Sequence, residues 1–218
     1  MENKKENIIS NLQGIRGYAI LLIFISHCNF GLNVKGINYT NWLGGFGVSL
    51  FIMLSGYLLM HNYHKRKIEL KSYVIKKIKK FYPLHIVTLI MAFPFAIKQL
   101  LSFDFKAWLG LLCNILLVQS WIPNSGVYFS YNAVAWYLSI TIFFIFMAPV
   151  VVKFWNSVES SVRIIAILTG LIVIDIVWCA VFNNCSNAHW LIYIFPLIRM
   201  NGYLFGGGTV ESIAKEQI

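Results

Sequence analysis

Apolar residues in this chain come in long blocks separated by short polar stretches, with no sustained alternation inside a block. The blocks run Leu12 to Asn29, Phe46 to His61, Tyr82 to Leu100, Ala107 to Trp121, Ala133 to Val152, Val162 to Phe182 and His189 to Gly206. Most approach the roughly 20 residues that a helix needs to cross about 30 Å of hydrocarbon. Membrane β-strands are shorter and alternate with a period of two, so the pattern excludes a barrel. It predicts an all-α fold, a polytopic transmembrane helix bundle of about seven spans. Two blocks invite a different course. Ala107 to Trp121 is short, and the last block holds Pro196 and Arg199, so a tilted, broken or re-entrant path is expected for either.

Composition agrees with a membrane solvent. Of 218 residues, 58% are hydrophobic and only 12% charged, about half the charge of an average soluble domain. The lipid bilayer is thus the first partner. Met1 to Ser10 is polar, the next block holds Arg16 and His27, and no small-residue cleavage site follows. The start of the chain therefore reads as a retained first span and not as a cleavable signal. With no internal repeat and no second soluble unit, residues 1–218 read as one membrane domain.

The net charge of +10 has a location. Lys65, Arg66, Lys67, Lys71, Lys76, Lys77, Lys79 and Lys80 stand between the second and third blocks against one acid, Glu69. The positive-inside rule makes this stretch cytoplasmic, and the N-terminus with Lys4 and Lys5 falls on the same side. Two readings of the stretch stay open: a topology signal that also attracts anionic lipid, or a phosphate-binding surface. Nucleic acid is excluded as a partner, because no recognition fold accompanies the charge.

Cys28, Cys113, Cys179 and Cys185 lie far apart without a paired C-x-x-C, so no metal site is expected. His61 and His64 stand in the basic stretch without acidic companions and read as solvated histidines. Ser49, Ser55 and Ser139 read as helix-contact residues. Gly44, Gly45 and Gly47, and Gly206 to Gly208, lack the setting of a phosphate loop and are expected at turns at helix ends. Trp136 and Tyr137 read equally as interfacial anchors and as parts of a substrate cleft.

Chemistry is expected where ionisable groups enter apolar blocks. Arg16 and His27 are separated by eleven residues, three helical turns plus about 20°, so they share one helix face about 16 Å apart along the axis. Arg16 near the cytoplasmic end either snorkels to headgroups or faces the bundle. His27 lies too deep to snorkel as easily, and either bonds a neighbouring helix or faces a site. Asp175 lies within a block with no base near it in sequence, so it is expected to be protonated or paired across helices, with Arg199 as one candidate partner.

These residues carry a resemblance. Arg16-Gly17-Tyr18-Ala19 followed by Ile25-Ser26-His27, and then Gly44-Gly45-Phe46-Gly47-Val48-Ser49-Leu50-Phe51-Ile52-Met53-Leu54-Ser55-Gly56-Tyr57, resemble the opening of the acyltransferase-3 family of membrane acyltransferases. In the same order come the basic segment Tyr73 to Leu84, the segment Asn132 to Ser139, and Pro196-Leu197-Ile198-Arg199 leading into Tyr203-Leu204-Phe205-Gly206. The resemblance implies transfer of an acyl group, commonly acetyl from acetyl-CoA, to a hydroxyl of a carbohydrate or other cell-envelope acceptor. It also implies a multi-pass protein of the bacterial cytoplasmic membrane. The family's arginine and histidine of the first span fall on Arg16 and His27, its donor-binding basic motif on Lys76, Lys77 and Lys80, and its substrate-side aromatic motif on Trp136 and Ser139.

Three departures stand beside this match. Lysines replace arginines often found before the aromatic-proline pair, keeping charge but losing the bidentate fork. Thr141 stands where many members have a glutamate. The family's membrane domain also has more spans than this chain supplies, which makes an incomplete domain the expectation. Under this reading the lysine face takes the phosphates of acyl-CoA, and His27 acts as general base on the acceptor hydroxyl. A competing class is a proton-coupled transporter or flippase, for which a buried Arg, His and Asp are equally suited, and a third is a non-catalytic membrane scaffold.

Overall fold

Hydrocarbon offers the backbone no hydrogen-bond partners, so each apolar block must close its own ladder. The chain does this almost entirely with helices. The structure, a computed structural model, describes the backbone of residues 2–28, 33–34 and 37–216, and side chains within 11–28, 42–97 and 100–215. Asn29, at the end of the first apolar block, and the side chains of Lys4 and Lys5 lie outside the described residues.

Helix α1 (Glu2–His27) leads to a two-residue antiparallel ladder, β1 (Asn33–Val34) with β2 (Ile37–Asn38). Then follow α2 (Tyr39–Tyr63), α3 (Leu70–Leu101), α4 (Phe105–Leu116), the single turn α5 (Ser125–Tyr128), α6 (Trp136–Ser157), α7 (Ser161–Phe182) and α8 (Pro196–Glu216). Among the described residues, Trp42–Tyr63, Leu70–Ile97, Ala133–Ser157 and Ser161–Phe182 are long and apolar enough to cross a membrane.

The two exceptional blocks do depart from a plain crossing. The Ala107 block is a helix of 12 residues, about 18 Å long at 1.5 Å per residue and too short to span. Asp104 caps its start by accepting from the Lys106 N–H at 2.9 Å, and Leu117 ends it in the left-handed region at φ 54°. The last block is broken. A π-helical turn, Trp190–Ile194, closes with the Phe195 N–H on the Trp190 carbonyl at 2.9 Å, and Pro196, which has no N–H to donate backwards, opens α8.

Most of the basic stretch, expected as a loop, is helix. Lys71 and Lys76 to Lys80 ride on the first turns of α3, whose 32 residues give about 48 Å, roughly 18 Å more than the hydrocarbon core. The surplus is about 12 residues, the length from Leu70 to Phe81, and it coincides with the lysines.

The core lies between α2, α6 and α8. Ile52, Leu59 and Met60 of α2 meet Ile140, Phe144, Val151 and Trp155 of α6, and Tyr203 of α8 stacks on Phe144 with ring centres 4.5 Å apart. The glycines expected at helix ends lie instead inside α2 and α8, where one of them, Gly206, together with Gly56 permits direct backbone contact. A Cβ on Gly56 would overlap the Tyr203 carbonyl, and one on Gly206 would overlap the Met53 carbonyl. Close approach of small residues is how helices gain packing where lipid supplies no hydrophobic drive. Outward faces are apolar: Val87, Ile90 and Met91 of α3 and Val162, Ile172 and Ile176 of α7 are exposed, as a lipid-facing surface requires.

Candidate functional site

The end of α1, the start of α2, the middle of α3, the start of α6 and the turn before α8 surround a cavity of about 1120 Å³. Its wall is mainly apolar and aromatic, with Phe51, Phe81, Phe129, Trp136, Tyr137 and Tyr193. Polar groups enter at Ser26, His27, His85, Thr88, Asn132 and His189. A largely apolar chamber with a few polar groups is the usual form of a small-molecule site.

Two helical stripes run into this cavity. On α1, Arg16, Ile23 and His27 share a face by their spacing, and Ile23 and His27 line the wall. On α3, Lys77, Phe81, His85 and Thr88 share a face, and the last three line the wall. Each stripe begins with a cation and reaches a histidine, over about 16 Å on α1 and about 12 Å on α3. The cationic ends lie within electrostatic reach of each other. Lys77 feels the charges of Lys80, Lys76 and Arg16, and Arg16 is also within electrostatic reach of the cavity residue Tyr137. The Lys77 ammonium lies 5.3 Å from the centre of the Tyr73 ring, and Lys76, Lys77 and Lys80 are all exposed.

Of the candidate site residues read from sequence, His27, Trp136 and Tyr137 lie on the cavity wall, and Trp136 packs 5.0 Å from the Tyr193 ring. Arg16, Lys76, Lys77 and Lys80 gather beyond the wall. Ser139 is fully buried outside the lining, where its Oγ accepts from the Ser120 N–H at 3.3 Å. Its role there is to hold the segment between α4 and α6 against α6.

That segment forms a cap on the cavity, fixed by side chains that bond backbone. Gln119 donates to the Ala135 carbonyl at 2.9 Å, Ser120 Oγ to the Trp136 carbonyl at 2.7 Å, and Trp190 Nε1 to the Ser120 carbonyl at 2.9 Å. Asn114, also fully buried, donates to the Gly110 carbonyl and to Ser130 Oγ, both at 2.9 Å. Asn132 donates to Thr88 Oγ1 at 3.2 Å, and the Tyr128 hydroxyl lies 3.3 Å from His189 Nδ1. Backbone that leaves a helix at this depth is thereby satisfied.

His85, Thr88, Asn132, His189 and Tyr193 belong to the site without having been found from sequence. For His85 a signal existed, since it lies inside the Tyr82 to Leu100 block and falls under the same rule as His27. Asn132 opens the segment that resembles the family's aromatic motif, whereas nothing comparable marks Tyr193.

Elsewhere the ionisable residues find other partners than the sequence suggests. Asp175 accepts from Asn201 Nδ2 at 2.7 Å, and Arg199 turns to the Tyr193 carbonyl at 2.7 Å and to Ser49 Oγ at 3.2 Å. The guanidinium also lies 4.5 Å from the Tyr193 ring centre. His64, expected to be solvated, has its Nδ1 2.8 Å from the buried Glu211 Oε2, and Lys215 Nζ lies 3.7 Å from the other carboxylate oxygen. The pairing joins α8 to the end of α2 across a sequence gap that no local pattern reveals.

Comparison with known proteins bears on this geometry. The model of the acyltransferase-3 family, an acyltransferase domain, matches residues 9–215. "Acyltransferase MdmB" of Streptomyces mycarofaciens is 30% identical over 139 residues, covering 60% of this chain and 36% of that protein. "Putative O-acetyltransferase SACOL0978" of Staphylococcus aureus strain COL is 28% identical over 218 residues, covering 93% of this chain and 34% of that protein. The chain thus spans about a third of the length of these curated relatives. No solved structure matches it. With the family model running from within α1 to the end of α8, and the motifs of α1, α2, α3 and α6 falling on the cavity wall or on the cationic residues beside it, the chain belongs to the acyltransferase-3 family.

Proposed function

We propose that this chain forms the reaction chamber of a membrane O-acyltransferase, which moves an acyl group, acetyl foremost, from acyl-CoA to a hydroxyl of a cell-envelope carbohydrate. The observation that carries the reading is the α1 stripe, a cavity histidine joined by one helix face to an arginine within electrostatic reach of Lys77. In this reading Arg16, Lys76, Lys77 and Lys80 hold the phosphates of CoA on the cytoplasmic side by charge-assisted bonds. The flexible arm of the donor then carries the thioester toward His27. An aromatic wall with a few hydroxyl-binding groups suits a sugar ring, which is apolar on its faces and polar at its rim.

His27 takes the proton of the acceptor hydroxyl as the oxygen attacks the thioester carbonyl. Collapse of the tetrahedral species breaks the carbon–sulfur bond, and the proton passes from His27 to the departing thiolate. General-base assistance of this kind contributes about 10²- to 10⁴-fold.

The test uses the protein in proteoliposomes with acetyl-CoA and cell-envelope glycans, and reads free CoA and acetylated glycan. His27→Ala is expected to lower turnover by at least about 10²-fold with donor affinity nearly intact, whereas Arg16→Ala weakens donor binding. Near-normal turnover in a folded His27→Ala protein removes histidine from the mechanism. Movement of solute without consumption of thioester favours the transporter reading instead.

A further inference from the structure

His85 is buried at 2% exposure on α3, yet it lines the cavity. One ring nitrogen is committed, since Nε2 lies 2.9 Å from the Asn114 carbonyl oxygen. A carbonyl oxygen has no proton to give, so Nε2 must carry the hydrogen and donate it. In neutral imidazole that leaves Nδ1 as a bare acceptor. Nδ1 is buried and has no hydrogen-bond partner, and His85 has no ion pair among the described residues. A buried acceptor left empty costs about 1–3 kcal/mol. Of the two nitrogens, only Nδ1 is left uncommitted for a ligand of the cavity that His85 lines.

The surroundings are built for this. Asn114 is itself pinned by Gly110 and Ser130, so the carbonyl that fixes the tautomer is fixed in turn. Thr88, one turn along the same face, donates to the His85 carbonyl at 2.9 Å and accepts from Asn132 at 3.2 Å. His85, Thr88 and Asn132 thus form a polar strip in a wall that is otherwise mainly apolar and aromatic.

We propose that His85 is a hydroxyl-binding group of this cavity, holding a polyhydroxylated acceptor through its Nδ1 lone pair while Asn114 locks the ring. The inference rests on the acyltransferase reading for the identity of the ligand, but not for the state of the imidazole. It assigns His85 to acceptor recognition and leaves the proton transfer to His27.

Two substitutions separate recognition from mere packing. His85→Gln keeps an N–H donor near the Nε2 position and loses the acceptor at Nδ1. His85→Asn keeps an acceptor oxygen near Nδ1 and loses the tie to Asn114. In the proteoliposome assay, His85→Gln is expected to raise KM for the glycan by about tenfold with the KM for acetyl-CoA unchanged. His85→Asn is expected to keep the glycan KM within about threefold and to unfold at lower temperature. A normal glycan KM in folded His85→Gln overturns the proposal, whatever the stability of His85→Asn. If the wild-type protein transfers nothing, the functional reading fails, and nitrogen-15 NMR of the imidazoles decides this inference on its own. Addition of methyl glucoside should then shift Nδ1 of His85 and leave Nε2 in place. An unmoved Nδ1, or an Nδ1–H tautomer at the start, overturns it.

Discussion

Gly56 of α2 faces the backbone carbonyl of Tyr203 of α8 so closely that a methyl group has no room between them. The reciprocal contact, Gly206 against Met53, makes the crossing symmetrical. Overpacking a tight core costs about 1–3 kcal/mol, and backbone cannot step aside as a side chain can. Gly56→Ala and Gly206→Ala are therefore each expected to lower the thermal midpoint in detergent and broaden the size-exclusion peak. Gly170→Ala is the control. A Cβ there meets nothing within 4 Å, and the change should hold or raise stability by about 0.5–1 kcal/mol.

The lysines on the overhanging turns of α3 yield a prediction in ionic strength. Neutralising Lys76, Lys77 and Lys80 together to Gln should weaken acetyl-CoA binding strongly at low salt and much less at high salt, because exposed charges are screened within about 8–10 Å near physiological salt. Equilibrium binding across a salt series measures it. An unchanged affinity would reduce the cluster to a topology signal.

Orientation is tested separately. A cysteine placed at Lys71 in a background with Cys28, Cys113, Cys179 and Cys185 replaced should resist an impermeant maleimide in intact cells and react after the membrane is opened. Rapid labelling from outside would reverse the arrangement and remove CoA from the lysine face.

Asp175 and Asn201 join α7 to α8 by one bond of 2.7 Å. Asn201→Ala alone should destabilise by about 1–3 kcal/mol, since it strands a carboxyl group among helices. Replacing both with Leu should be milder than the sum of the single changes, as removal of both partners leaves no orphan. Thermal unfolding of the double-mutant set gives the coupling directly.

Hydrophobic length alone made the spanning helices legible, because each must satisfy its backbone internally. The cap between α4 and α6 was less so. Leu117 turns left-handed without a glycine to announce it, and Asn114, Gln119 and Ser120 find their partners in Gly110, Ser130, Ala135 and Trp136 only after the chain has folded back. Spacing put Arg16 and His27 on one face, and the cavity contains the histidine. It could not bring Arg16 within electrostatic reach of Lys77, because the approach of two helices is a tertiary fact. Pro196 flagged a break in the last block, but the π-helical turn before it depends on where the Phe195 N–H finds a carbonyl. His85 illustrates the other kind of gap, since its residue type was visible and its unpaired nitrogen was not.

The cap also sets an order for biosynthesis. Ser120 is tied to Trp136 soon after it in the chain, but its carbonyl waits for the indole of Trp190, 70 residues later. At a synthesis rate of about 5–20 residues per second, that wait lasts roughly 4 to 14 s. Through it the segment is held only by its nearer bonds, and the chamber stands incomplete in the membrane. Completion falls to the same short turn that ends at Pro196, so the last wall to arrive is also the one that latches the cap.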